Sequence, residues 1–155
     1  MRRSNSQAGF TIVEVMIVTM IIGVLAALVL PNIRANAARA RMSEAILAFG
    51  NCKSTVTELY ISGGDPPGPG LWGCEANDVS TYVLSITTTA EGVIKASLRG
   101  FNDLRIDFND LTLAPLDNTG NVPIGGGALV NRWRCGSRID GTNVPEQFLP
   151  ASCRG

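Results

Sequence analysis

The chain has 155 residues, thirteen basic and thirteen acidic side chains, four cysteines and no histidine. That length holds one small globular domain at most, and the neutral balance lacks the basic footprint of a nucleic-acid binder. Without histidine the commonest general base and metal ligand is missing.

The first stretch, "MRRSNSQAG" (1–9), is basic and polar. From Phe10 to Leu30 follow twenty-one residues in which Glu14 is the only charge, matching the ~20 residues that a bilayer-crossing helix needs. A charge inside such a helix costs about 2.5 to 3.5 kcal/mol on insertion scales, so Glu14 needs a partner or must snorkel to the interface. The arrangement differs from an ordinary secretory signal, because no A-x-A-like site leading into a mature start follows the apolar region. Two readings stand. One is a signal-anchor with Arg2 and Arg3 kept cytoplasmic. The other is a cut between Gly9 and Phe10 that leaves the apolar helix on the mature chain.

"PNIRANAARARMSEAILAFGNCKSTVTELYIS" (31–62) reads as an amphipathic continuation of the same helix. Met42, Ile46, Phe49, Val56 and Tyr60 mark one face at three-four spacing, so a single helix is expected from Phe10 to about Ser62. Gly23 and Pro31 are its weak points: glycine costs about 1 kcal/mol against alanine, and proline removes an N–H and crowds the carbonyl four residues back.

"SGGDPPGPG" (62–70) ends the helix and opens a loop to about Ser80. "TYVLSITTT", alternating Tyr82, Leu84 and Ile86, and "VIKASLRG", alternating Ile94, Ala96 and Leu98, read as strands joined by the turn "AEG". "LRIDFNDLTLAPL" carries a third strand, split near Asn109, and "LVNRWRC" is a candidate last one. Strands in succession suggest an antiparallel sheet on the amphipathic half-helix, an α+β fold.

Cys52, Cys74, Cys135 and Cys153 form no C-x-x-C pair, which favours disulfides in an oxidising compartment over zinc. Three connectivities are open. The simplest pairs Cys52 with Cys74 and Cys135 with Cys153, each contributing ~3 kcal/mol in the chain-entropy model. No catalytic constellation stands out, and no cofactor is implied. The "GGG" at 125–127 is a loop rather than a phosphate cradle. Asp103, Asp107 and Asp110 lack calcium-loop spacing and read as solvated carboxylates. Arg132, Arg134 and Arg138 around Trp133 could meet phosphates and stack on a base, but surface ion pairs and a core tryptophan account for them more simply; DNA is an unsupported partner.

"G-F-T-I-V-E" at 9–14, followed by the apolar run, resembles the type III signal of type IV pilins and pseudopilins. The resemblance implies that a prepilin peptidase cuts after Gly9 and methylates the new amine of Phe10. It places Glu14 at the family's glutamate position, where it pairs with the Phe10 amine of a neighbouring subunit. At ~4 Å and an effective dielectric near 20 that pair attracts by about 4 kcal/mol. Gly23 and Pro31 match positions that flank a stretch able to lose helicity in the filament. Trp133 and Cys135 followed by "FLPASCR", ending the loop at Cys153, resemble the C-terminal disulfide loop of type IVa pilins.

The implied organisation is a leader (1–9), a transmembrane and filament-core half-helix (10–31) and a head (32–155). The head comprises an amphipathic half-helix (32–61), a loop (62–80), a sheet (81–135) and a disulfide loop (135–153). The apolar first half of the helix is expected to project from the head. The implied product is a structural subunit, a major pilin, polymerised with identical subunits into a helical filament used for adhesion, twitching motility or DNA uptake. Its other partners are the peptidase and methylase, the inner membrane, the assembly platform and, indirectly, motor ATPases. Localisation follows: inner membrane first, then a filament on a Gram-negative surface. The rival readings are a minor pilin or pseudopilin, and a non-polymerising membrane-anchored binding module that keeps its leader.

Overall fold

The structure, a computed structural model, describes residues 9–155, with the side chains of 29–34 excepted. Residues 1–8, Arg2 and Arg3 among them and most of the expected leader, lie outside the described residues. The chain forms two compact units, one ending at Ala35 and one running from Asn36 to Gly155.

In the first unit the backbone is helical from Ile12, the start of α1 (Ile12–Leu47). Its large apolar side chains from Phe10 to Leu28 are 52 to 88 % exposed. Among the described residues no helix is long and apolar enough to cross a membrane; the apolar run continues to Leu30, into the stretch whose side chains are not described.

In the second unit the expected single helix is two, α1 and α2 (Gly50–Ser62). The interruption is a tightened turn: the Phe49 N–H reaches the Ile46 carbonyl, three residues back, at 3.2 Å. Gly50, a poor helix former, follows it. The two helices still share one buried face, formed by Met42, Ala45, Phe49, Cys52, Val56 and Tyr60. Ala45 takes the place expected for Ile46, which is half-buried. α2 stops at Gly63, whose φ of 74° suits a residue without Cβ. There the Gly63 and Gly64 N–H groups donate to the Tyr60 and Leu59 carbonyls, a Schellman end.

Five antiparallel strands follow in the order β1-β2-β3-β4-β5: β1 (Ala76–Asn77), β2 (Val83–Thr88), β3 (Ile94–Leu98), β4 (Asp110–Leu116) and β5 (Arg132–Cys135). β3 alternates as expected, with Ile94, Ala96 and Leu98 fully buried. β2 does not. A bulge between Val83 and Ser85 shifts its register against β3, so Val83 and Ile86 are both buried while Tyr82 and Leu84 are half-buried. The expected first part of the third strand is a turn over residues 104–108, and only Ile106 in it is buried. Pro115 sits inside β4 without cost to the ladder, because β4 has its last β3 partner at Leu113 and the missing N–H falls beyond it. β1, a two-residue edge strand in the glycine- and proline-rich loop, has no sequence signal of its own.

The core joins the helical face to Ile94, Leu98, Ile106 and Leu111 of the sheet side and to Val144, Phe148 and Leu149 of the C-terminal segment. Each fully buried large side chain contributes about 1.5 to 3 kcal/mol by burial alone. Trp72 closes the upper loop onto this core: its Nε1–H donates to the Thr89 carbonyl (2.9 Å), and its ring centre lies 5.8 Å from that of Tyr60. Gly92 lets the ring approach; a Cβ there would stand 3.0 Å from both Trp72 and Val56.

Candidate functional site

Gly9 and Phe10 are exposed and non-helical, ahead of the first turn of α1. The peptide bond between them therefore belongs to an accessible stretch ahead of the helix rather than to the helix itself. Thr11 and Glu14 form a reciprocal capping box. Glu14 Oε2 accepts from the Thr11 N–H (2.9 Å) and from its hydroxyl (2.8 Å), while the Glu14 N–H donates to Thr11 Oγ1 (3.3 Å). Both bonds to the carboxylate fall on Oε2, which leaves Oε1 with no partner among the described residues. Thr11 is a residue that the sequence reading passed over, although T-x-x-E ahead of an apolar run is its signature.

The helix backbone continues through Gly23 and Pro31. A Cβ at Gly23 would meet nothing within 4 Å, so no packing inside this chain requires a glycine there. The side chain of Pro31 lies outside the described residues.

Both cysteine pairs are bonded. Cys52, on α2, joins Cys74 with a Cα separation of 5.0 Å; Cys135, at the end of β5, joins Cys153 at 4.5 Å. The C-terminal loop carries two 3-10 turns, Arg138–Asp140 and Glu146–Phe148. It closes tightly at Gly136 (φ 77°), where a Cβ would collide with the Cys153 carbonyl. The Gly155 N–H donates to the Cys135 carbonyl (2.7 Å), covering part of the outer edge of β5.

Of the arginines around Trp133, Arg132 and Arg134 line one cavity, while Arg138 stands apart on the loop. Strand alternation puts Arg132 and Arg134 on the face of β5 opposite Trp133. Arg134 is engaged in a two-pronged bond with Asp140, both contacts 2.7 Å, and the Asp140 side chain is almost fully buried. Trp133 has Lys53 of α2 5.9 Å above its ring, and Arg138 is exposed on the loop. A shallow cavity of about 410 Å³ at the edge of β5 is lined by Arg132, Trp133, Ser152 and Arg154 among others. The three aspartates also part company. Asp103 binds Arg105, Asp107 accepts the Phe101 N–H, and Asp110 opens β4.

The chain that carries these features is similar to known proteins. Residues 4–30 match the family described as the prokaryotic N-terminal methylation motif, and residues 38–154 match the family described as Pilin (bacterial filament). The chain is 34 % identical to the type IV major pilin protein PilE1 of Neisseria gonorrhoeae over 96 % of its own length and 67 % of that protein. It is equally 34 % identical to the fimbrial protein EcpC of Eikenella corrodens, over 96 % of this chain and 91 % of that one. It is 26 % identical to a protein named "Probable minor fimbrial protein" in Dichelobacter nodosus, over 94 % of each. With three quarters of its length inside one family and its N-terminus inside the motif that accompanies it, the chain belongs to the type IV pilins.

Proposed function

We propose that this chain is a major pilin: a structural subunit, not an enzyme, that is cut after Gly9, N-methylated at Phe10 and polymerised with identical copies into a type IV pilus. The observation that carries the reading is the apolar surface of α1. Large side chains from Phe10 to Leu28 stay more than half exposed within the single chain. An apolar surface running along about five turns of helix marks a membrane or protein contact rather than a water-exposed face, so lipid covers it before assembly and other copies afterwards. Membrane anchoring and filament formation are thus two uses of one surface.

Glu14 serves both states. Its Oε2 caps its own helix, while Oε1 is left for the amine that cleavage creates at Phe10 of a neighbouring subunit. Residues 1–9 are the leader, 10–31 the membrane and filament-core segment with Gly23 and Pro31 as its compliant points, and 32–155 the head. The peptidase and methylase act at the cytoplasmic face of the inner membrane. The assembly platform, with motor ATPases behind it, then moves the subunit into a filament on a Gram-negative surface. Adhesion and twitching motility fit a filament of this kind. DNA uptake gains little from the arginines around Trp133, since Arg134 is neutralised by Asp140 and Arg138 lies outside the cavity that Arg132 and Arg134 line.

The test is an intact mass and N-terminal sequence of the protein in material sheared from the cell surface. A chain beginning at methylated Phe10 and abundant in the filament is the expected result. Met1 retained in a chain confined to membranes overturns the reading in favour of an anchored module, and a trace amount in sheared filaments favours a minor pilin.

A further inference from the structure

Leu104, 88 % exposed, and Phe108, 74 % exposed, stand on one turn between β3 and β4. The turn is a built feature. Ile106 is buried under it, and the Asp103 carboxylate accepts from the N–H and the guanidinium of Arg105. Asp107 accepts the Phe101 N–H, and the Phe108 N–H donates to the Leu98 carbonyl. Phe108 is held at φ 63°, a conformation that a bulky residue rarely adopts. The frame thus holds two apolar side chains outward when their burial would be the cheaper outcome.

This turn lies at the end of the head where the chain enters it. The Arg105 guanidinium is 4.8 Å from the Phe148 ring centre, and Arg39 Nε–H donates to the neighbouring Gln147 carbonyl (2.8 Å). Arg41 stands 5.6 Å over Tyr82, whose ring meets that of Phe101 at 5.2 Å. Among the described residues neither Arg39 nor Arg41 is in a salt bridge; the acids at this end are Glu44 on the helix, Glu146 beside Gln147, Asp103, which is bound to Arg105, and Asp107, which accepts the Phe101 N–H. From Leu30, where the apolar run ends, the chain to Asn36 can span at most about 20 Å however it is arranged. A subunit anchored by that run therefore keeps this end of its head close to the bilayer.

We infer that this end is a membrane-contact surface used before assembly. Leu104 and Phe108 enter the interfacial layer, and Arg39 and Arg41 meet anionic headgroups, as apolar and basic groups do on proteins that lie against a membrane. The inference rests on the 10–30 run being embedded in lipid before assembly.

The experiment uses the full chain reconstituted in vesicles of phosphatidylethanolamine and phosphatidylglycerol, part of the lipid carrying brominated acyl chains. Flotation with the vesicles checks anchoring by itself. The emission added by Phe108→Trp is expected to fall about twofold in brominated vesicles, given the shallow depth at which interfacial side chains sit. The effect should weaken when phosphatidylcholine replaces phosphatidylglycerol. The emission added by Ile124→Trp should not fall. Ile124 is 89 % exposed at the other end of the helical pair, next to Pro123, whose carbonyl lies 3.4 Å from the Tyr60 hydroxyl. Equal responses from the two variants in a chain that floats would overturn the inference. So would a Phe108→Trp response that follows protein density rather than bromination, since a second copy would then cover the turn. A chain that does not float instead defeats the anchoring on which the inference rests.

Discussion

Thr11 and Glu14 hold each other across the first turn of α1, with the carboxylate taking both the N–H and the hydroxyl of the threonine. Glu14 therefore has two separable jobs, capping its own helix and carrying a charge. Glu14→Gln separates them, since glutamine also serves at this position of a capping box. The helix start should survive, read as unchanged hydrogen exchange at residues 12 to 15 in detergent, while pili fall sharply in sheared preparations. Glu14→Ala should lose both, and still be cleaved after Gly9. Thr11→Ala should loosen the helix start by about 1 kcal/mol with a milder loss of pili. Normal piliation from Glu14→Gln would sink the charge-pairing argument and leave only the cap.

Acid should act on the head through three carboxylates, Glu75, Asp103 and Asp117, the last held low by the Thr119 hydroxyl and by N–H groups of its own turn. Burial pushes the Glu75 carboxyl up, but hydrogen bonds from the Thr88 hydroxyl and from the Trp72 and Cys74 N–H groups outweigh it and hold the group below the usual range. Asp103 is held at about 2, first by the Arg105 guanidinium and then by the Arg105 N–H. All three are depressed in the folded state, so each contributes stability that is fully present above the unfolded value, near 4. That stability is lost as pH falls through the folded one. Thermal unfolding of the head should be flat from pH 7 to about 5 and drop below 4. In Glu75→Gln the early part of that drop should shrink. An unchanged acid limb in Glu75→Gln would show that other carboxylates govern it.

Much of this architecture was legible in the sequence because its signals are local. The apolar run, the helical face at Met42, Phe49, Val56 and Tyr60, and the alternation in β3 each follow from spacing alone. The misreadings fall where the backbone leaves a regular path. Leu104, Ile106 and Phe108 alternate like a strand, yet Asp103 and Asp107 take up local N–H groups and fold the stretch into a turn. In β2 one extra residue at Leu84 changes which side chains face the core, and apolar pattern does not reveal a bulge. At the site, Gly9, Phe10 and Glu14 stood out as a motif. Thr11 was equally readable, and Asp140 was not, because its pairing with Arg134 depends on how the cysteine loop folds back.

The two disulfides close loops of nearly equal length, with sequence separations of 22 and 18. Chain entropy alone then makes each worth about 3 kcal/mol, and any difference between them reports packing. Cys52, Cys74 and Cys153 are buried in the core, whereas Cys135 is half-buried at the sheet edge, so the second bond is the one with an exposed side. Replacing Cys52 and Cys74 together by alanine should lower the melting temperature by about 10 °C. The same change at Cys135 and Cys153 should cost less globally but release the loop, visible as protease cuts between residues 136 and 152. Equal melting losses with no new cuts would contradict this division.

Thr112 of β4 and Thr142 of the cysteine loop form a buried polar link between sheet and loop. Their hydroxyls are 2.7 Å apart, and Thr142 Oγ1 also accepts the Thr112 N–H at 3.1 Å. The pair is asymmetric, since Thr142 satisfies a backbone donor and Thr112 Oγ1 does not. Thr142→Val should strand that N–H in the core and cost about 2 to 3 kcal/mol, whereas Thr112→Val leaves it satisfied and should cost about 1 kcal/mol. The double replacement should cost little more than Thr142→Val alone, because the hydroxyl-to-hydroxyl bond is lost only once. Denaturant unfolding of the three variants measures this directly. Equal single-mutant costs would mean that the N–H finds another acceptor, and strict additivity would mean that the two hydroxyls are not coupled.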